Sequence, residues 1–203
     1  VILAVAFAAG YHLPDAAAKK GKETAALTET QKQMPQKAPE PAISPEKAKE
    51  ADRKESISLD ASKSYHIIVE KKAHRLSLLL GDTVVRSYGC AIGKGGLGQK
   101  QRRGDNMTPV GTFTVDEIDD ASSWPHDFGD GRGEIAGAYG PWFISLDTEA
   151  LSGGAWDGIG IHGTHDPQSI GTDASEGCIR LHNEDLQELR SVVKVGTVVE
   201  IKD

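Results

Sequence analysis

Three hydropathy regimes follow one another along the chain. The first thirteen residues are almost wholly apolar, and the stretch from Pro14 to Lys63 is dominated by Ala, Lys, Glu, Gln, Pro and Ser. From Ser64 onward short apolar runs rich in β-branched residues alternate with Gly-containing breaks. Those runs predict strands at Tyr65–Glu70, His74–Leu80, Thr83–Cys90, Thr112–Val115, Trp142–Leu146, Gly158–His162 and Thr197–Ile201. Gly81-Asp82, between two of them, predicts a tight hairpin turn. One helix is expected, from Glu184 to about Val193, with Asn183 at its N-cap and Leu186, Leu189 and Val193 on one face. Gly196 suits the left-handed residue beyond its end. Short strands, Gly-rich turns and a single principal helix near the C-terminus predict a mainly β fold, a sandwich or barrel-like sheet. No internal repeat is present.

Composition divides the chain in the same places. Residues 14–63 carry too little apolar surface to offset the entropy of ordering them, so they are expected to form a disordered linker. Residues 64–203 then make one folded domain of roughly 140 residues, enough for a core. The apolar opening, residues 1–13, lacks an initiator Met and is shorter than the roughly 20 residues a membrane-spanning helix needs. It is expected to be the remnant of a signal peptide, with Ala6-Phe7-Ala8 as a cleavage site, or of a membrane anchor that begins further upstream. Both send the domain out of the cytoplasm, to the periplasm or cell envelope. The net charge of −7, with both signs mixed, excludes the strongly basic face of a nucleic-acid binder. Lys94, Lys100, Arg102 and Arg103 form the one basic cluster, which reads as a solvated loop or as a rim that attracts carboxylates.

Candidate chemistry concentrates in Ile159-Gly160-Ile161-His162-Gly163-Thr164 and Ser175-Glu176-Gly177-Cys178-Ile179-Arg180-Leu181. A cysteine nucleophile needs a nearby base to yield its thiolate, and His162 at the end of an apolar strand is the candidate. Amides around Glu176, Gly177 and Cys178 could converge as an oxyanion hole. The same residues allow a zinc reading, through His162, His165, Cys178 and His182, but the spacing fits no zinc signature and no metal or other cofactor is expected. An exported chain with two cysteines also invites a Cys90–Cys178 disulfide. Cys90, in an apolar strand, is better read as a buried free thiol. Trp156 reads as a core residue or a groove wall.

Together with Ala91-Ile92-Gly93-Lys94, Asp105–Phe113 and Ile170-Gly171, these two segments resemble, in order, the signature of the YkuD-type L,D-transpeptidases. The resemblance covers 64–203. It implies that fold, and a peptidoglycan L,D-transpeptidase with Cys178 as nucleophile and His162 as base. The thiol would attack the third residue of a tetrapeptide stem, release the terminal D-Ala and leave a thioester. Transfer to an amine then gives a 3-to-3 crosslink, or attachment to an envelope lipoprotein. The Gly163 carbonyl would orient His162, with the Glu176 and Gly177 backbone at the oxyanion site. Ser175 and Arg180 are expected to bind substrate, Arg180 pairing with a carboxylate or, alternatively, forming a structural ion pair. Hydrolysis of the same acyl-enzyme, as a carboxypeptidase or endopeptidase, and a non-catalytic peptidoglycan-binding module are the alternative outcomes. Glu176 departs from the family, which carries His or a basic residue there, and an acid beside a thiolate disfavours its ionisation.

Overall fold

The computed structural model describes residues 58–203, apart from residue 130. The proposed signal or anchor (1–13) lies outside the described residues, as does the linker up to residue 57. Among the described residues no helix is long and apolar enough to cross a membrane.

The strands are β1 (His66–Glu70), β2 (Arg75–Leu80), β3 (Thr83–Gly89), β4 (Ile92–Gly93), β5 (Gly111–Asp120), β6 (His126–Asp127), β7 (Glu134–Ile135), β8 (Trp142–Leu146), β9 (Gly160–His162), β10 (Asp173–Ser175), β11 (Ile179–Arg180) and β12 (Val198–Lys202). Among the described residues two α-helices accompany them, α1 (Glu149–Ser152) and α2 (Asn183–Arg190), with a 3₁₀ turn at Pro167–Ser169. Eight strands form one curled sheet in the order β11-β9-β8-β5-β12-β1-β2-β3, while β10–β4 and β6–β7 make two small ribbons. The fold is mainly β, as the pattern of short strands predicts.

Register explains why this sequence holds the sheet. Phe113, Val199, Ile67 and Leu78 are mutual partners across β5, β12, β1 and β2, and all four are buried. Further along, Ile118, Ile144, Ile161 and Ile179 form a second cross-strand row over β5, β8, β9 and β11. β-Branched side chains directly opposite one another fill a pleated face efficiently, and each fully buried one contributes on the order of 1.5–3 kcal/mol. Helix α2 closes this layer with Leu186 and Leu189, both fully buried. It is pinned to β3 through Glu188, which accepts from Arg86 Nε (2.8 Å) and from the Tyr88 hydroxyl (2.9 Å).

Strand β5 sets up the cleft. Its first half pairs with β12 and its second with β8, and a register shift lies between Val115 and Glu117. The irregularity reverses side-chain parity: Phe113 and Val115 are buried, whereas beyond it Ile118 packs on the core and Glu117 and Asp119 face a cleft. On that opposite face Asp119, Phe143, His162 and Arg180 stand in one row over β5, β8, β9 and β11.

Three local expectations are corrected. Asn183 is the first residue of α2 rather than its N-cap; His182 holds that position without a side-chain cap bond. The Asn183 carboxamide is instead engaged by the Thr164 amide (2.9 Å). Helix α2 stops at Arg190, and Gly196 (φ +87) serves the turn into β12, donating its N–H to Val115 O. The strand expected at 112–115 extends to Asp120 because the β5 irregularity carries it past the polar run that hid it.

Candidate active site

His162 ends β9 and Cys178 immediately precedes β11, its parallel neighbour, so the sheet itself brings the two segments together. Both side chains line one cleft of about 810 Å³, with Arg180, Glu176, Ser175, Tyr139, Phe143 and Trp156 among its other walls.

The His162 ring is held on three sides. Its Nδ1 lies 2.7 Å from the Gly163 carbonyl oxygen. A carbonyl only accepts, so Nδ1 carries the hydrogen and Nε2 of the neutral ring is left as the basic nitrogen. Phe143 stacks on the ring at 5.4 Å with an interplanar angle of 11°, and Tyr139 meets it edge-on at 4.9 Å. Burial, with the nearby Arg180 charge, pushes the His162 pKa down to about 3. The imidazole is therefore neutral at physiological pH.

Gly163 must be glycine. A Cβ there would collide with Asn183 Oδ1 and come within 3.0 Å of Gly140 Cα and 3.1 Å of Pro141 Cδ.

The turn that carries Cys178 is built by Ser175, which is buried. Its hydroxyl donates to the Cys178 carbonyl (2.5 Å) and accepts the Gly177 amide (3.1 Å). Sequence reasoning assigns Ser175 to the ligand; its hydroxyl is engaged inside the turn. The Gly177 amide is occupied by the same contact, so it points inward rather than at an oxyanion. The amides of Glu176 and Cys178 have no partner among the described residues. Gly177 has φ +138, and a Cβ on it would lie 3.1 Å from Met107 O and 3.2 Å from Ile159 Cδ1, so only glycine lets the turn pass.

Cys178 Sγ is 3.1 Å from the Gly158 carbonyl, to which the thiol donates. Burial pushes its pKa up to about 11, opposed by the Gly160 amide, Arg180 and Lys100 and assisted slightly by Glu176. The resting pair is thus a thiol and a neutral imidazole, because burial penalises both charged forms. Cys90, fully buried, has its thiol raised to about 12, and both cysteines are free.

Arg180 is buried at 6% exposure and lines the cleft. Its guanidinium lies 5.1 Å over the Phe128 ring, its Nε has no partner, and it forms no ion pair among the described residues. Burying a guanidinium without a counter-charge is costly, which favours a site left for an anionic ligand over an internal ion pair. The basic loop contributes Lys100, whose buried Nζ contacts Asp105 Oδ1 (2.7 Å) and also lines the cleft. Trp156, 7% exposed, is both core and wall. Among the described residues no group of three His, Cys, Asp or Glu side chains gathers as metal ligands.

The profile of the L,D-transpeptidase catalytic domain family named YkuD matches residues 64–201. This chain belongs to that family. It is 35% identical over 137 residues to the provisionally named L,D-transpeptidase YkuD of Bacillus subtilis (strain 168), covering 68% of this chain and 65% of that protein. The chain thus spans somewhat under two thirds of that relative's length. It is 31% identical over 138 residues to the likewise provisionally named L,D-transpeptidase YqjB of the same organism, with 68% of this chain and 71% of that protein covered. Among solved structures, an L,D-transpeptidase from Mycobacterium smegmatis superposes with a TM-score of 0.50 at 18% identity, over 69% of this chain and 59% of the other. That likeness concerns the fold, and agrees with the mainly β architecture of the L,D-transpeptidase domain.

Sequence reasoning missed the partners of the cleft. His126, which shows none in sequence, lies with its Nε2 3.0 Å from Glu176 Oε2 and its Nδ1 3.0 Å from the Tyr139 hydroxyl. The β6–β7 hairpin that carries His126 is too short to give a periodic signal.

Proposed function

We propose that the domain is an extracytoplasmic peptidoglycan L,D-transpeptidase in which Cys178 is the nucleophile and His162 its base. The observation that carries this is the tautomer fixed by Gly163, which leaves a basic Nε2 on the ring that shares a cleft with the Cys178 thiol. The YkuD family membership supports a stem peptide as donor.

In the first step the Cys178 thiol proton passes to His162 Nε2 as sulfur attacks the carbonyl carbon of the third stem residue. The carbonyl electron pair moves onto oxygen, where the free Cys178 amide, with that of Glu176, is available to stabilise it. Collapse breaks the bond to the terminal D-Ala, whose nitrogen takes the proton back from His162, leaving a thioester. In the second step an amine acceptor gives a proton to His162, attacks the thioester and restores the thiol. The product is a new amide, a 3-to-3 crosslink or a bond to an envelope lipoprotein. Water in the amine's place gives a shortened stem instead. Because the neutral pair is the resting state, proton transfer is coupled to attack rather than completed beforehand.

Arg180 supports carboxylate recognition on the donor, since a bidentate guanidinium suits that group. Residues 1–13 are proposed as the export signal or anchor and 14–63 as the linker. Incubating the full chain with tetrapeptide muropeptides and resolving products by mass tests the proposal. A 3-to-3 dimer supports transfer, a shortened stem alone supports hydrolysis, and binding without any product supports a non-catalytic module.

A further inference from the structure

Glu176 is the residue at which this chain departs from the YkuD-type pattern, and its place beside the nucleophile suggests a charge that hampers the thiolate. The side chain is otherwise occupied. One carboxylate oxygen lies 3.0 Å from His126 Nε2 and the other 3.6 Å from Lys94 Nζ. An ionised carboxylate only accepts, so Nε2 of His126 carries a hydrogen, and in the neutral ring Nδ1 accepts from the Tyr139 hydroxyl at 3.0 Å. Tyr139 in turn meets the His162 ring edge-on at 4.9 Å. A continuous chain therefore runs from the nucleophile turn, through Glu176, His126 and Tyr139, to the ring of His162.

The same chain ties down a wall of the cleft. The β6–β7 hairpin has only two paired rungs, His126 with Ile135 and Asp127 with Glu134, and forms a sheet of its own. A two-stranded ribbon of this size is not stable by itself in water. Its side-chain contacts include Phe128 against His165 at 5.0 Å and beneath the Arg180 guanidinium, and His126 against Tyr139 and Glu176. On the thiol itself Glu176 acts less than burial does, and less than the Gly160 amide, Arg180 and Lys100.

We infer that Glu176 and His126 are a positioning pair: they latch the β6–β7 hairpin to the nucleophile turn and, through Tyr139, brace the His162 ring. The acid serves as a hydrogen-bond acceptor for His126, and its charge on Cys178 is a minor consequence. The functional weight of the brace rests on His162 and Cys178 being the reacting pair. The latch itself does not.

The test compares the full-length wild-type chain with Glu176→Gln, Glu176→Ala, His126→Ala and the double Glu176→Ala/His126→Ala. One readout is hydrogen exchange of the segment from His126 to Ile135; the other is the pH midpoint for iodoacetamide alkylation of Cys178. Loss of one charge-assisted hydrogen bond should speed hairpin exchange roughly tenfold in Glu176→Ala, and at least as much in His126→Ala, which also loses the Tyr139 contact. The double variant should exchange no faster than His126→Ala alone, because removing His126 already breaks the link to Glu176. A carboxamide in place of the carboxylate still offers an oxygen to His126, so Glu176→Gln should stay within about threefold of wild-type exchange and leave the alkylation midpoint in place. Additive effects of the two alanines, unchanged exchange, or a midpoint lowered by Glu176→Gln would each overturn the inference. Where Ala at 176 prevents folding, His126→Ala and Tyr139→Phe carry the test: each must unprotect the hairpin, and protection unaltered in either overturns it. Neither readout uses a stem peptide, so a wild-type protein inert towards muropeptides would remove the transpeptidase reading and leave the latch standing.

Discussion

The reactivity of Cys178 towards a small alkylating agent is fixed by the resting state of its pair. If the thiol sits near 11 and the His162 imidazole near 3, no thiolate–imidazolium pair exists at neutral pH. At pH 7.5 such a thiol is ionised in roughly 3 molecules per 10,000, against about one in ten for an unperturbed cysteine, a deficit of about 300-fold. Nucleophilicity rises with basicity along a Brønsted slope of about 0.4–0.5, which returns about tenfold, so the net expectation is alkylation roughly 20-fold slower than that of free cysteine. Cys90, fully buried with its own thiol near 12, contributes little background. The assay is iodoacetamide labelling from pH 5 to pH 11, with peptide mass spectrometry to locate the label. The rate should climb close to tenfold per pH unit over most of that range and turn over only near 11. A plateau beginning below pH 7, or a rate at pH 7.5 above that of free cysteine, would refute the neutral-pair reasoning.

Other expectations follow from neighbouring contacts. Gly163→Ala forces a Cβ against Asn183 Oδ1 and 3.0 Å from Gly140 Cα, so thermal unfolding should show a loss of about 1–3 kcal/mol, with acylation down at least tenfold as the His162 anchor shifts; wild-type values for both would contradict the packing account. Arg180→Met should raise KM about 10- to 100-fold for a donor with free carboxylates, yet leave an amidated donor nearly unaffected. Equal losses on both donors would mean that Arg180 is structural. Acid should destabilise the fold through His162. Its folded pKa, about 3, lies below the unfolded value near 6.5, so the unfolded chain binds the extra proton in that window. Stability is therefore full above pH 6.5 and falls towards pH 3, by up to about 1.4 kcal/mol per pH unit. Chemical denaturation of wild type and His162→Gln across this window checks it, and parallel curves would contradict the assignment.

How far the sequence reached depended on periodicity. β1, β2, β3, β8 and β12 are legible because each carries a cluster of apolar, often β-branched residues between turn signals, and α2 because Leu186 and Leu189 repeat at helical spacing. His162 and Cys178 were legible as an ordered motif. What stayed hidden was set by contacts between distant segments. The β5 irregularity turns Glu117 and Asp119 into the cleft, which no local pattern announces. Asn183 looked like a helix cap because its type and place suited one, but a tertiary partner, the Thr164 amide, competes for its carboxamide. Ser175 resembled a ligand contact because its role, holding Gly177 N–H and Cys178 O together, depends on the fold of the turn. Glu176 looked like a hindrance because His126 lies fifty positions away in the chain.

In the proposed reaction Cys178 carries the acyl group. Intact-protein mass spectrometry of the full chain, quenched in acid soon after mixing with a tetrapeptide donor, tests it most directly. The expected product is an adduct equal to the donor minus its terminal D-Ala, located on the peptide containing Cys178, labile to hydroxylamine as a thioester must be, and absent from Cys178→Ala. An adduct that persists in Cys178→Ala, or product formation by that variant at the wild-type rate, would contradict it.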